Sequence, residues 1–134
     1  LSFASNCAYA WKKLVLPLRQ HVGRVAKLKV KPGDQVLKGQ IIAEADGNIS
    51  ASIHAPTSGK ILKISEEILP HPSGLPDFCI TIEPDFKDTW VEKKPISWKT
   101  LDRNKLIEAI SQSGIVGLGG AVFPTHMKLK INQK

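Results

Sequence analysis

The chain has 134 residues, enough for one ordinary domain or for a small domain joined to part of another. Its 42% hydrophobic and 23% charged residues are a globular balance, and no apolar run approaches the ~18 residues of a membrane-spanning helix. The formal charge of +7 comes from lysines spread among carboxylates, with only residues 128–134 forming a modest basic end and no alternation of basic and aromatic residues of the kind that reads single strands, so nucleic acid is not an expected partner.

Leu1–Lys13 shows no clear period, and Trp11 is expected to tuck against the domain after it. The segment has no basic start ahead of an apolar core, so it does not read as a signal peptide. Without an initiator Met, and ending just after a helix begins, the chain looks like an excised piece. Cys7 and Cys79 belong to no C-x-x-C and form neither a zinc site nor a cluster by themselves, which reads as a reduced cytosolic chain with two incidental thiols.

From Leu14 onward the periodicity is that of strands. Leu14-Val15-Leu16 leads to Pro17, and Gly23–Lys31 alternates, with Ala26, Leu28 and Val30 on one face and Lys27, Lys29 and Lys31 on the other. Pro32-Gly33-Asp34 is a turn in which Pro presets φ and Asp caps locally. Ile41-Ile42-Ala43 is a short apolar run, followed by the turn signal Asp46-Gly47-Asn48. Ile49, Ala51 and Ile53 then alternate with Ser50, Ser52 and His54. After Pro56-Thr57-Ser58-Gly59 comes the strand Lys60–Ile64. Leu69–Pro76 is a proline-rich loop, and Phe78, Ile80 and Ile82 mark a last strand.

Asp85–Thr100 reads as a linker whose indoles, Trp90 and Trp98, pack on a neighbouring surface. Asp102 is a good N-cap for a helix over Arg103–Ser113 with an apolar stripe of Leu106, Ile107 and Ile110, and Gly114 stands where a C′ glycine belongs. That helix feeds into GIVGLGGAVFPTHMKLK, residues 114–130, in which four of the seven residues from Gly114 to Gly120 are glycine. Glycines let a ligand approach the bare backbone, Pro124 suits the first position of a new helix, and Lys128 and Lys130 add positive charge there. The residues therefore read as a loop for a phosphorylated cofactor, with a tight, closely packed turn as the competing reading. The loop is neither a Walker loop, which needs Gly-Lys-Ser/Thr, nor G-x-G-x-x-G, whose third glycine position holds Val122.

No pair of His21, His54, His71 and His126 has the i, i+4 spacing of a helical metal site. Structural or surface roles are expected for them, with His126 set apart by its place beside the glycine loop. Asp34 reads as a turn cap, and Glu44 and Asp46 as solvated residues flanking a hairpin tip. Phe123 suits either a ligand's ring or the core.

V-x-x-G-D-x-V-x-x-G-Q at Val30–Gln40 and A-P-x-x-G at Ala55–Gly59 resemble the lipoyl and biotinyl carrier domains, whose fold is a barrel-sandwich hybrid. In the carriers a lysine at the hairpin tip bears the prosthetic group. Here the tip is Asp46-Gly47-Asn48-Ile49, so the resemblance implies the fold without the carrier chemistry. Leu16–Gly23, Gly33–Gln40, His54–Gly59, His71-Pro72-Ser73 and Gly117–Thr125 together resemble the C subunit of the Rnf (Rsx) ion-translocating electron-transport complex of bacteria, from about Lys13 onward. The glycine loop is also similar to that of the NADH-binding flavoprotein subunit of respiratory complex I, G-x-G-G-A-G-F-P-T-x-x-K. By position that similarity implies flavin contacts at Gly117, Gly119, Gly120 and Lys128, with Phe123 facing the nicotinamide nucleotide. Leu118 stands where complex I has arginine. Val122 replaces the last glycine, where a β-branched residue resists φ > 0 and crowds a ligand.

The resemblance implies FMN and NADH sites in the intact family member, and two 4Fe-4S clusters downstream of this chain. It further implies a peripheral position on the cytoplasmic face of the inner membrane, with other subunits of the complex and a ferredoxin-type carrier as partners. The expected organisation is a leader at 1–12, a mainly β barrel-sandwich hybrid at 13–83 and a linker at 84–101. The α-helical, glycine-loop start of a truncated α/β flavin-binding domain occupies 102–134. No catalytic or metal-ligating residue is assigned, and the isolated piece is expected to bind no flavin and turn nothing over. The alternatives are a non-redox scaffold that keeps the barrel and a lipoyl-type carrier.

Overall fold

The computed structural model describes residues 12–47, 49–69 and 74–130, so the readings of the leader, Trp11, Cys7, Asn48 and His71-Pro72-Ser73 lie outside the described residues. The chain forms two compact units, and both draw on separated stretches of sequence.

The first unit takes the described residues up to Leu18, with Val30–Gln40 and Ala55–Val91. Its sheet is antiparallel in the order β1-β7-β6-β3, with β1 at Leu14–Pro17, β3 at Gln35–Val36, β6 at Gly59–Ile68 and β7 at Pro76–Pro84. The long β6–β7 hairpin runs from the Gly59–Pro84 pair to the Ile68–Pro76 pair, and its register shifts between Ile61 and Lys63. Ile82 faces Ile61 on one side and Leu14 on the other. Val36, Ile61, Cys79, Ile80 and Ile82 are buried, as β-branched and apolar residues on a central strand should be. The expected turn before β3 is present: the Lys31 N–H donates to the Asp34 carboxylate at 2.8 Å.

Residues 85–91, read from sequence as the start of a linker, are fastened within this unit. Ser58 Oγ donates to Asp85 Oδ1 at 2.6 Å and accepts the Thr89 N–H at 2.8 Å. Asp88 accepts from Thr57 Oγ1 at 3.1 Å and pairs with Lys38, whose ammonium also lies 5.1 Å from the Trp90 ring centroid. The Ser58 hydroxyl, then the Lys87 N–H, holds the Asp85 carboxyl below the usual carboxylate range, and Lys38 does the same for Asp88.

The second unit takes Arg19–Lys29, Ile41–His54 and the described residues from Glu92. Its sheet has the order β2-β4-β5, with β2 at Lys27–Leu28, β4 at Ile41–Glu44 and β5 at Ile53–His54. A 3-10 turn at Trp98–Thr100 precedes α1 at Arg103–Gln112 and α2 at Thr125–Leu129. Asp102 caps α1 as expected, its Oδ1 accepting the Lys105 N–H at 2.9 Å. Gly114 comes after the helix at φ +68°, a left-handed conformation that L side chains disfavour.

Two strand readings are corrected by the structure. The alternation over Gly23–Lys31 becomes strand only at Lys27–Leu28, although Ala26 and Val30 are buried as it implies. Over 49–54 the alternation holds for Ala51 and Ile53, which are buried, but Ile49 is exposed while Ser50 and Ser52 are buried. The serines satisfy their hydroxyls inside: Ser50 Oγ donates to the Arg24 carbonyl at 3.0 Å, and Ser52 Oγ accepts the Ala45 N–H at 3.2 Å. A small hydroxyl bonded to backbone costs little to bury, so polarity alone misassigned the face. His21 is buried too, accepting the Ala51 N–H on Nε2 at 3.1 Å with its Nδ1 3.1 Å from the Val22 carbonyl, a structural role.

Candidate functional site

The glycine loop lies in the second unit, between α1 and α2. Its base is a short antiparallel contact, with Val116 bridged to Pro124. The Gly117 N–H donates to the Phe123 carbonyl at 2.8 Å, and the Thr125 N–H to the Ile115 carbonyl at 3.0 Å. A turn closes the tip, where the Val122 N–H reaches the Gly119 carbonyl at 2.9 Å. The amides of Leu118, Gly119, Gly120, Ala121 and Phe123 make no hydrogen bond among the described residues. Three amides of the loop thus hold its shape while the tip keeps its donors open.

The five residues assigned by sequence fall into two groups. Gly117 and Lys128 come together: a Cβ built on Gly117 would lie 3.2 Å from Lys128 Nζ. Gly119 and Gly120 sit at the exposed tip, where an added Cβ would meet nothing within 4 Å. Phe123 is half-buried, between the two roles considered for it, and His126 is buried in α2. Arg103 Nη2 donates to the Leu129 carbonyl at 2.9 Å, tying α2 to α1.

The conformations correct one expectation. Gly117, Gly119 and Gly120 have no left-handed φ, whereas Val122 has φ +44°. The loop therefore demands a left-handed residue where the complex I pattern has its last glycine, and this chain meets the demand with valine under strain of about 1–3 kcal/mol. Val122→Gly is expected to stabilise the chain by about 1 kcal/mol once the added freedom of the unfolded glycine is deducted. Urea titration of the two proteins checks this, and a destabilised glycine variant would contradict it.

Sequence reasoning did not pair the loop with β5. A Cβ on Gly114 would fall inside 3.0 Å of the Ser52 carbonyl oxygen, 3.2 Å from His54 Nδ1 and 3.3 Å from its Cε1. The half-buried His54 ring stands beside the Gln112 carbonyl in the last turn of α1. Burial pushes the imidazole below its ordinary value, and that carbonyl pulls it partly back. Only the C′ position of Gly114 was visible in advance. A hollow of about 310 Å³ lined by Asn104, Ile107, Glu108, Ser111 and Lys130 lies along α1 and includes no residue of the loop tip.

Glu44 and Asp46 are exposed, pairing with Lys29 at 2.8 Å and with Arg24 at 3.7 Å. Cys79 is fully buried in β7, and burial raises its thiol. Among the described residues no group of three His, Cys, Asp or Glu side chains is placed to hold a metal, and no helix is long and apolar enough to cross a membrane.

The strands thus belong to a small β module of the barrel-sandwich class, with a helix and glycine loop after it. A family model described as the RnfC barrel sandwich hybrid domain matches residues 6–87. The chain belongs to this RnfC family. Three relatives are each named as the C subunit of an ion-translocating oxidoreductase complex. The one from Erwinia tasmaniensis is 44% identical over 119 residues, 88% of this chain and 15% of the relative. That from Serratia proteamaculans is 47% identical over 119 residues, 88% of this chain and 17% of the relative. That from Haemophilus influenzae is 47% identical over 116 residues, 86% of this chain and 14% of the relative. The chain therefore spans less than a fifth of the length of these relatives.

Proposed function

We propose that this chain supplies the docking barrel and the first part of the nucleotide site of a peripheral subunit in a membrane-bound, ion-translocating oxidoreductase complex. The subunit passes electrons between NADH and a ferredoxin-type carrier through FMN and iron–sulfur clusters, on the cytoplasmic side of the bacterial inner membrane. Residues 13–83 are the barrel, with 85–91 fastened to its first unit; a linker then runs to residue 101, and 102–134 are the start of the FMN/NADH domain. The relatives' names support the complex. One observation carries the site: the loop tip presents unbonded amides and two glycines whose missing side chains no described residue fills, and Gly117 at its base lies beside the Lys128 ammonium.

The donor set fits a flavin phosphate. Backbone N–H groups at Leu118–Ala121 and the Lys128 ammonium are anion donors, and glycine at 119 and 120 keeps side chains out of the approach. Phe123 is the residue for the nicotinamide nucleotide. FMN, when bound, takes two electrons from NADH and releases them singly. The chain's two cysteines do not fit a four-cysteine cluster, so the clusters belong to other parts of the intact protein.

The test is flavin binding by the intact protein that carries this sequence. FMN is expected to bind, and Lys128→Ala to weaken it about 10- to 100-fold, the worth of a charge-assisted hydrogen bond. The isolated 134-residue chain is expected to remain colourless. An intact protein without affinity for FMN, or a Lys128→Ala protein that binds as well as wild type, would sink the proposal.

A further inference from the structure

The glycine loop is too short and too exposed at its tip to fix its own position, since three internal hydrogen bonds set its shape and nothing in them sets where it stands. Its amino-terminal root is held differently. Gly114, two residues after α1 ends, lies so close to β5 that any side chain there would collide with the Ser52 carbonyl and crowd the His54 ring. Ser52 is buried and bonded through its hydroxyl to the Ala45 N–H. His54 is paired across the sheet with Ile41 of β4. The wall that Gly114 meets is therefore sheet backbone and a half-buried ring, neither of which yields easily. The His54 ring also stands beside the Gln112 carbonyl, one of the four that a helix end leaves without an internal partner.

We propose that Ser52, just before β5, and His54 of β5, closing on Gly114, form a seat that fixes the root of the glycine loop, making His54 a positioning residue for the nucleotide site. The seat explains why a histidine stands at the end of a two-residue strand: a side chain of that length reaches the last turn of α1 with a polar ring. It also explains why residue 114 has no side chain, beyond its left-handed φ. The role rests on the reading of residues 114–128 as a nucleotide site, whereas the seat itself does not.

Two measurements separate them. In this chain, hydrogen exchange at the Gly117, Val122 and Thr125 amides reports how firmly the loop is held, with no ligand needed. His54→Leu is expected to speed their exchange about tenfold through loss of the imidazole nitrogen beside the last turn of α1. One of His54→Gln or His54→Asn, which place an amide N–H where Nε2 or Nδ1 stood, is expected to restore the slow rate, a rescue that mere bulk would not give. Gly114→Ala is expected to act in the same direction and more strongly.

In the intact protein, the same His54→Leu change is expected to weaken FMN binding about tenfold, with recovery in the rescuing variant. Exchange unchanged in His54→Leu overturns the seat. Faster exchange with unchanged FMN affinity overturns the positioning role. A wild-type intact protein that binds no FMN overturns the nucleotide reading beneath it, while the exchange data still decide the seat.

Discussion

Gly59→Ala lowers the stability of the chain by about 3 kcal/mol or more, the top of the range for forcing atoms into a packed site. Gly59 opens β6 opposite Pro84, where the two strands approach so closely that an added Cβ would fall inside 3.0 Å of the Glu83 carbonyl oxygen and carbon. Those are main-chain atoms of a paired strand, so no rotamer change can make room. The position is fully committed on its other side as well, since the neighbouring Ser58 hydroxyl is bonded to both Asp85 and Thr89. Relief requires β6 to lift from β7, at the cost of ladder bonds. Urea denaturation followed by tryptophan fluorescence measures the change, and a loss below about 1 kcal/mol would show that the strands separate easily.

Ile82→Ala is expected to cost about 3–4 kcal/mol, from within the 2–5 kcal/mol range for large-to-small changes at buried positions. Ile82 is fully buried and stands between Ile61 and Leu14 on the strand that joins both halves of its sheet. A cavity at the centre of three strands cannot be filled by moving one of them. Ile68→Ala is the control: Ile68 lies at the far end of the same hairpin, 76% exposed, and its loss is expected to change stability by no more than about 0.5 kcal/mol. Equal effects from the two substitutions would contradict the placement of the core.

The barrel was legible because its signature lies in turns. Pro32-Gly33-Asp34 and Pro56–Gly59 fix backbone geometry through residue chemistry alone, and both stand where the sequence puts them. Helix α1 was legible for the same reason, with Asp102 at one end and Gly114 at the other. What escaped was whatever depends on distant partners. Ser50 and Ser52 read as the wet side of a strand until Arg24 and Ala45 are seen to bond them. Residues 85–91 read as linker because each fastening, to Lys38, Thr57 or Ser58, comes from elsewhere in the chain. In the loop, glycine count says nothing of which residue turns left-handed. The left-handed residue is Val122, and Gly119 and Gly120 are defined by the room around them.

The extra residue between Ile61 and Lys63 gives the long hairpin a reading frame. Because Ile61 faces Ile82 and Ile64 faces Ile80, two isoleucines three apart share one side, which two-by-two alternation forbids. Losing that residue, Leu62, would straighten the strand and keep Lys63 opposite Thr81 and Ile64 opposite Ile80, whereas losing any later residue would exchange inside for outside along what remains. Beyond Leu62 the strand therefore tolerates changes of length only in pairs.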